Sequence, residues 1–286
     1  MSSEEELKAG DGLEPGTLYV IATPIGNLDD VTRRAVSVLE RVGLIAAEDT
    51  RRTLTLLNAL GLKAPRTLAL HEHNEEVAAE QILELLQAGE TAALVSDAGT
   101  PLVSDPGFVL VRACYEAGLP VRPVPGPSAV MAALSVCPLP ASDVSFAGFL
   151  PAKEGARRSR LTTLLDAARP FVFFEAPHRL KASLKDLEAL APERRLFLAR
   201  EMTKRFETYL LGSAQSIVEQ MDAAEQWRGE VVCVVEGAAA ASSPAEQARV
   251  MRILTAELAP AQAARLGAKL LGVRKQDLYG LGSGES

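Results

Sequence analysis

Cysteine is scarce in this chain. Cys114, Cys137 and Cys233 are three in 286 residues, far apart and without a C-x-x-C pair. That excludes a disulfide framework and a thiolate zinc site, and it suits a reducing compartment. No apolar run approaches the roughly 20 residues of a membrane helix. The opening M-S-S-E-E-E is acidic, unlike the basic start of a secretory leader. The expectation is a soluble cytoplasmic protein without membrane attachment. Positive charge is not in excess either: 30 Lys and Arg against 37 Asp and Glu leave a formal charge of −7. This excludes a protein that coats nucleic acid along its length, but not one with local basic patches. There is no G-x-G-x-x-G after the first apolar run, no G-x-x-x-x-G-K-[ST] and no G-x-S-x-G. The dinucleotide fingerprint, the P-loop and the hydrolase nucleophile elbow are therefore absent.

What is present is alternation. Residues 17–22, 44–47, 67–70, 91–95 and 120–124 read as strands, nearly continuous in apolar residues as buried parallel strands are. Helical segments follow each: 31–41 capped by Asp29 or Asp30, 53–60, 77–87, 107–117 with Asp105 as its cap, and 129–136. Strand and helix in turn imply a parallel sheet with helices on both faces. C-P-L-P-A-S at 137–142 breaks the pattern and marks a domain boundary. Beyond it, strands at 145–150, 171–174, 195–199, 208–211 and 230–235 come in closer succession, as in a mixed sheet with antiparallel pairing. Residues 238–244 read as a linker and 245–279 as short helices. The expected plan is a disordered tail over 1–16, a parallel α/β domain over 17–137, a mixed α/β domain over 138–237 and a small helical extension over 244–281.

Chemistry concentrates in five loops at expected strand ends: T-P-I-G-N, A-E-D-T-R, H-E-H-N-E, S-D-A-G-T-P and P-G-P-S-A. In a parallel sheet all five share the carboxyl edge, where open α/β folds bind ligands. Each also has a structural use. Asp49 and Thr50 can cap a helix, as can Glu175, His178 and Arg179. His71 and His73, with Glu75, are the one candidate metal set, and nothing else in the sequence supports a metal. The residues alone give an α/β enzyme with a polar cleft.

In this order T-P-I-G-N-L, A-E-D-T-R, S-D-A-G-T-P-L-V-S-D-P-G, V-P-G-P-S-A and F-F-E-A-P-H-R closely resemble the ribosomal RNA small-subunit methyltransferase I family, over residues 18–237. G-V-R-K-Q-D-L-Y resembles that family's C-terminal extension. The resemblance implies a tetrapyrrole-methylase-like fold of two α/β domains with a cofactor cleft between them. It implies S-adenosylmethionine as cofactor, 2′-O-methylation of a cytidine ribose in 16S rRNA at the decoding region of the small ribosomal subunit, and a homodimer. Cofactor contacts carry over to Pro24, to Asp97, Ala98, Gly99 and Thr100 with Leu102 and Val103, to Ser128 and Ala129, and to Ala176 and Met202. Ser96-Asp97-Ala98 stands where tetrapyrrole C-methylases have G-D-P, a departure that favours the RNA branch.

A ribose hydroxyl is a poor nucleophile, so a base or a stabilising cation is expected beside it. Loop position nominates Asp49 and His73 as bases and Arg51 as electrostatic help; positioning with proton loss to water is the competing scheme. Substrate RNA would meet local charge: Lys153, Arg157, Arg158 and Arg160, then Lys204 and Arg205, then Arg274 and Lys275 in the tail. Two other functions fit the same residues: a methyltransferase of this fold acting on a tetrapyrrole or a protein side chain, and a non-catalytic ribosome-binding factor.

Overall fold

A computed structural model describes residues 12–167, 169–238 and 244–278, without the side chains of 244–246. Of the expected disordered start over residues 1–16, residues 1–11 lie outside the described residues, as does most of the expected linker, while residues 12–16 are placed, with Leu13 packed on the core and the Gly16 N–H on Glu90 O at 3.1 Å. Two compact units emerge. One is Met1–Val136 with Leu198–Leu210 and Gly229–Val232; the other is Cys137–Phe197 with Leu211–Arg228 and Cys233–Ser286.

The first sheet holds β1 (Leu18–Ile21), β2 (Leu44–Ala47), β3 (Arg66–Ala69), β4 (Ala92–Val95) and β5 (Val121–Val124) in the order β3-β2-β4-β1-β5. Every pairing is parallel: Leu18 lies opposite both Ala92 and Val121, and Leu44 opposite both Arg66 and Ala92. Side chains alternate between two cores, as the strand period of two requires. Leu18, Leu44, Ala46, Ala92 and Leu94 pack with α3 (Glu75–Gln87) and α4 (Phe108–Glu116). Tyr19, Ile21, Ile45, Ala93 and Val95 pack with α1 (Arg33–Arg41) and α2 (Thr50–Ala59). Continuous apolar strands are thus explained by helices covering both faces.

Several helix starts differ from expectation, three of them through their caps. Thr32, not Asp29 or Asp30, caps α1 by accepting the Ala35 N–H at 3.1 Å. Asn27 instead caps a short 3-10 turn, Leu28–Asp30. Helix α2 begins three residues early because Asp49 caps it, accepting the Arg51 N–H at 2.9 Å. Asp105 does not cap α4. Gly107 takes that position with φ +125°, and an added Cβ there would stand 2.6 Å from Leu94 Cδ2. The missing side-chain cap is supplied from elsewhere: Glu75 Oε1 accepts the N–H groups of Gly107 at 2.8 Å and Val109 at 2.9 Å.

The second sheet holds β6 (Ser145–Phe149), β7 (Phe171–Glu175), β8 (Arg195–Arg200), β9 (Thr208–Ser213) and β10 (Val231–Val235) in the order β6-β7-β10-β8-β9. β6 and β7 are parallel. β10 runs against β8: the Glu201 N–H donates to Glu230 O at one end and the Glu236 N–H to Arg195 O at the other, both at 2.9 Å. The sheet is mixed, as the sequence suggests. Helices α5 (Ala129–Ser135), α6 (Glu154–Leu165), α7 (Pro177–Leu190) and α8 (Ala214–Ala223) complete the two α/β layers.

The tail forms α9 (Pro244–Glu257) and α10 (Pro260–Leu271) around a small core of Met251, Ala263, Ala264 and Leu278. Gly272 ends α10 in the left-handed conformation, its N–H on Ala268 O. The expected third helix is a 3-10 turn, Lys275–Leu278.

Candidate active site

Because the first sheet is wholly parallel, all five expected loops leave its carboxyl edge. They are stitched to one another by short polar contacts. The β1 loop exchanges main-chain hydrogen bonds with the β4 loop: Thr23 N to Gly99 O at 2.9 Å and Gly99 N to Thr23 O at 3.0 Å. The Thr23 hydroxyl donates to Ser96 O, and the Thr100 hydroxyl reaches the β5 loop at Pro127 O, 3.1 Å away. The β2 and β4 loops clasp reciprocally. The Asp49 N–H donates to Asp97 Oδ1 at 3.1 Å, and the Asp97 N–H donates to Glu48 Oε2 at 3.3 Å. Arg52 Nη1 closes the other Asp97 oxygen at 3.2 Å. Asp97 therefore ties two loops together before it meets any ligand.

Residues 96–107 form a constrained loop. Leu102 and Ser104 are non-glycine residues held at φ 70° and 72°, a conformation that survives only where surroundings over-determine it. The turn swings Asp105 back onto the Ser96 hydroxyl. Burial pushes the Asp105 carboxyl up to about 6, helped by the nearby Glu48 and Asp97 charges. Burial also raises Glu48. Ser128 caps α5, accepting the Met131 N–H at 3.4 Å, with Ala129 as the first helical residue.

These loops suit S-adenosylmethionine in chemistry. Partly buried carboxyls of Glu48, Asp97 and Asp105 complement a cationic sulfonium and an ammonium group. The expected contacts from Pro24, Ala98 to Thr100, Leu102 and Val103, and Ser128 and Ala129 all lie on this one edge. Met202 is buried between Glu201 and Thr203, two further non-glycine residues at positive φ (51° and 65°). Ala176 lies at the end of β7, where it precedes α7 and donates its N–H to Glu175 Oε1 at 2.9 Å.

The nominated catalytic residues fare unequally. Asp49 is bound bidentately by Arg51 at 2.8 and 3.1 Å, and this pairing, with the cap it forms, holds its carboxyl down at about 2. Such a group takes up a proton poorly near neutral pH, which argues against Asp49 as a base. Arg51 remains exposed at the mouth of a cavity of about 640 Å³ lined by Pro24, Leu28, Asp49, Arg52 and Thr55. His73 is exposed, its ring edge-on to His71 at 6.0 Å. Glu75, the third member of the metal set, is committed to capping α4. Among the described residues no group of three or more His, Cys, Asp or Glu could hold a metal.

The basic clusters divide as well. Arg157 is not a surface cation: it is buried, with Nε 2.7 Å from Asp186 Oδ2. Arg158 shares that carboxylate at 3.2 Å and stays partly exposed. Lys204 is held by Glu201 and Glu230 at 2.9 and 3.0 Å. Arg160 and Arg205 are exposed, Arg205 over the Phe206 ring at 5.3 Å. Arg274 pairs with Asp277 at 3.1 Å on the tail surface, beside exposed Lys275. The roles that the sequence does not announce are those of Glu48, of Glu75, nominated there only for a metal, and of Asp105 as a carboxyl. No local pattern announces them, since their partners lie up to 49 residues away.

Comparison with known proteins fits this geometry. A family model for tetrapyrrole (corrin/porphyrin) methylases matches residues 17–218, and one for an RsmI C-terminal HTH domain matches residues 241–282. The ribosomal RNA small subunit methyltransferase I of Xylella fastidiosa (strain Temecula1) is 50% identical over 93% of this chain and 98% of its own length. That of Escherichia coli O157:H7 is 47% identical over 92% of this chain and 93% of its own. A solved uroporphyrin-III C-methyltransferase from Thermus thermophilus, complexed with S-adenosylhomocysteine, shares the fold at 18% identity. Its TM-score is 0.54, over 77% of this chain and 96% of that one. Among the described residues no helix is long and apolar enough to cross a membrane.

Proposed function

This chain belongs to the ribosomal RNA small subunit methyltransferase I family, and we propose that it transfers a methyl group from S-adenosylmethionine to the 2′-hydroxyl of a cytidine ribose in 16S rRNA. The observation that carries this reading is the extent of the similarity: 47–50% identity over more than nine-tenths of the chain. It takes in both sheets rather than one motif.

Bound S-adenosylmethionine supplies a methyl group already activated by the sulfonium charge. The residues of the chain then need to bind, orient and keep out water. The loops of Pro24, Asp97 to Val103 and Ser128 to Ala129 would hold the cofactor in the first unit, with Met202; Ala176 would contribute from the second. With Asp49 paired off, proton removal falls to His73, to solvent, or to a partly buried carboxyl on the same edge, while Arg51 offers positive charge to a developing alkoxide.

Substrate recognition rests on exposed cations: Arg160, Arg205, Arg274 and Lys275, with Lys153 and the partly exposed Arg158. The tail carries a local excess of its own. Between residues 247 and 278 six Lys and Arg stand against Glu257 and Asp277, in a chain whose total is acidic. We assign the enzyme to the cytoplasm and expect it to act as a homodimer on the small ribosomal subunit.

The test is methyl transfer from labelled S-adenosylmethionine to small subunits lacking the modification, followed by alkaline hydrolysis. Label in 16S rRNA at one protected linkage is the expected result. Label in protein, or in a small molecule only, would overturn the reading.

A further inference from the structure

Three phenylalanines of the second sheet are arranged in a way the core does not require. In β6, Phe146 pairs with Val172 of β7, and Phe149 pairs with Phe174. Three steps along β6 match two along β7, so β6 carries one extra residue, and Gly148 adopts φ 64° within that bulge. In a regular strand, residues three apart face opposite sides. The bulge turns Phe149 back to the side of Phe146, a re-aiming typical of such irregularities. Both rings then meet Phe174 edge-on, with centroids 5.0 and 5.5 Å away.

This cluster is open to solvent: Phe146 is 38% and Phe149 53% exposed, whereas Phe171 and Phe173 on the opposite side of β7 are fully covered. It also borders positive charge. The Arg179 guanidinium, paired with the buried Glu175 carboxylate at 3.1 Å, donates to the carbonyl of Leu150, the residue after Phe149, so the unshared cation beside the cluster is Lys153. Lys153 follows four residues beyond Phe149, within ~14 Å along the chain. The cluster ends two residues before Ala176, which the functional reading places against the cofactor.

The geometry points to a stacking platform: Phe146, Phe149 and Phe174 receive an unpaired base of the substrate RNA beside the ribose to be methylated. This rests on the RNA methyltransferase reading above. A 2′-hydroxyl in structured RNA becomes accessible when its nucleotide is splayed out. Proteins hold such bases on aromatic faces while cations track the adjacent phosphates. A second copy of this chain is the competing occupant, because β6 is an edge strand. The bulge works against it by breaking the regular ladder that edge-to-edge pairing needs.

Phe149→Ala, Phe149→Leu and Phe149→Trp test the platform in the full-length protein. Phe149→Ala is expected to raise KM for small subunits about ten-fold, with kcat and affinity for S-adenosylmethionine near wild type. Phe149→Trp restores KM, and Phe149→Leu, apolar but without a π-face, does not. Wild-type KM in Phe149→Leu overturns the proposal. So does a drop in sedimentation mass in Phe149→Ala, which would assign the face to a second copy. A single-stranded oligoribonucleotide carrying 2-aminopurine separates this idea from the methylation reading. Quenching by the wild-type protein that is lost in Phe149→Ala supports the platform even if no methyl is transferred; quenching unchanged by the substitution overturns it.

Discussion

Glu75 and Gly107 are 32 residues apart, yet the carboxylate of one caps the helix that begins at the other. A single oxygen serves two main-chain donors at the start of α4, where glycine offers no side chain and the helix dipole favours negative charge. The contact also pins the end of the 96–107 loop. Glu75→Ala should destabilise the protein by about 1–3 kcal/mol, the cost of stranded donors, and weaken S-adenosylmethionine binding. Glu75→Gln, which keeps an acceptor, should lose about half as much. Urea denaturation and calorimetric titration would check both.

Asp105 gives a pH dependence of defined sign. Its folded value, about 6, lies above the ordinary carboxylate value. Below about pH 3 it is protonated in both states and costs nothing. As the pH rises towards 6, the unfolded chain releases the proton first, so stability falls, and the full loss persists above 6. Asp105→Asn should therefore be more stable than wild type at pH 7.5, by about 1–2 kcal/mol after allowing for partial solvent screening. It should be indistinguishable from wild type near about pH 3. Thermal melts across this range decide it.

Asp49→Asn should leave the shape of the pH–rate profile unchanged, because its carboxylate is locked to Arg51 and titrates far below the working range. A lost acidic limb in the variant would return Asp49 to the role of base.

Arg157 and Arg160 sit three residues apart in one basic run and should separate cleanly. Arg157→Ala leaves Asp186 buried beside Arg158 alone and should cost about 3–5 kcal/mol of stability. Arg160→Ala should leave stability within about 0.5 kcal/mol. It should lower RNA affinity and reduce the slope of log affinity against log salt by about one. Denaturation curves and salt-dependent binding would show both effects.

Deleting residues 244–286 should weaken binding to small subunits and leave cofactor affinity intact, since the tail packs its own core. Unchanged subunit affinity would remove the tail from substrate recognition.

The sheet and its loop edge are legible in the sequence because short, continuous apolar runs alternating with helical segments suit buried parallel strands. Mixed pairing in the second sheet follows from strand spacing in the same way. Charge roles are less legible. Lys153 to Arg160 looks like a surface patch, but Arg157 falls on the inward stripe with Leu161, Leu164 and Leu165, four to eight residues on. That period is visible once the helix start is known. The turning of Asp105 is not, since it depends on positive φ at Leu102 and Ser104, which composition does not reveal. Nor is the bulge at Gly148, which decides whether two phenylalanines share a side.

The strand order carries a consequence for how the chain comes together. β1 has only β4 and β5 as neighbours, and β2 only β3 and β4. Until residues 92–95 leave the ribosome, the first strand has no partner and the sole available pairing is β2 with β3. β4 joins the two halves when it inserts. Nearly a hundred residues of nascent chain thus precede the strand that completes the sheet, and non-local parallel pairings of this kind form slowly and leave apolar strands exposed in the meantime.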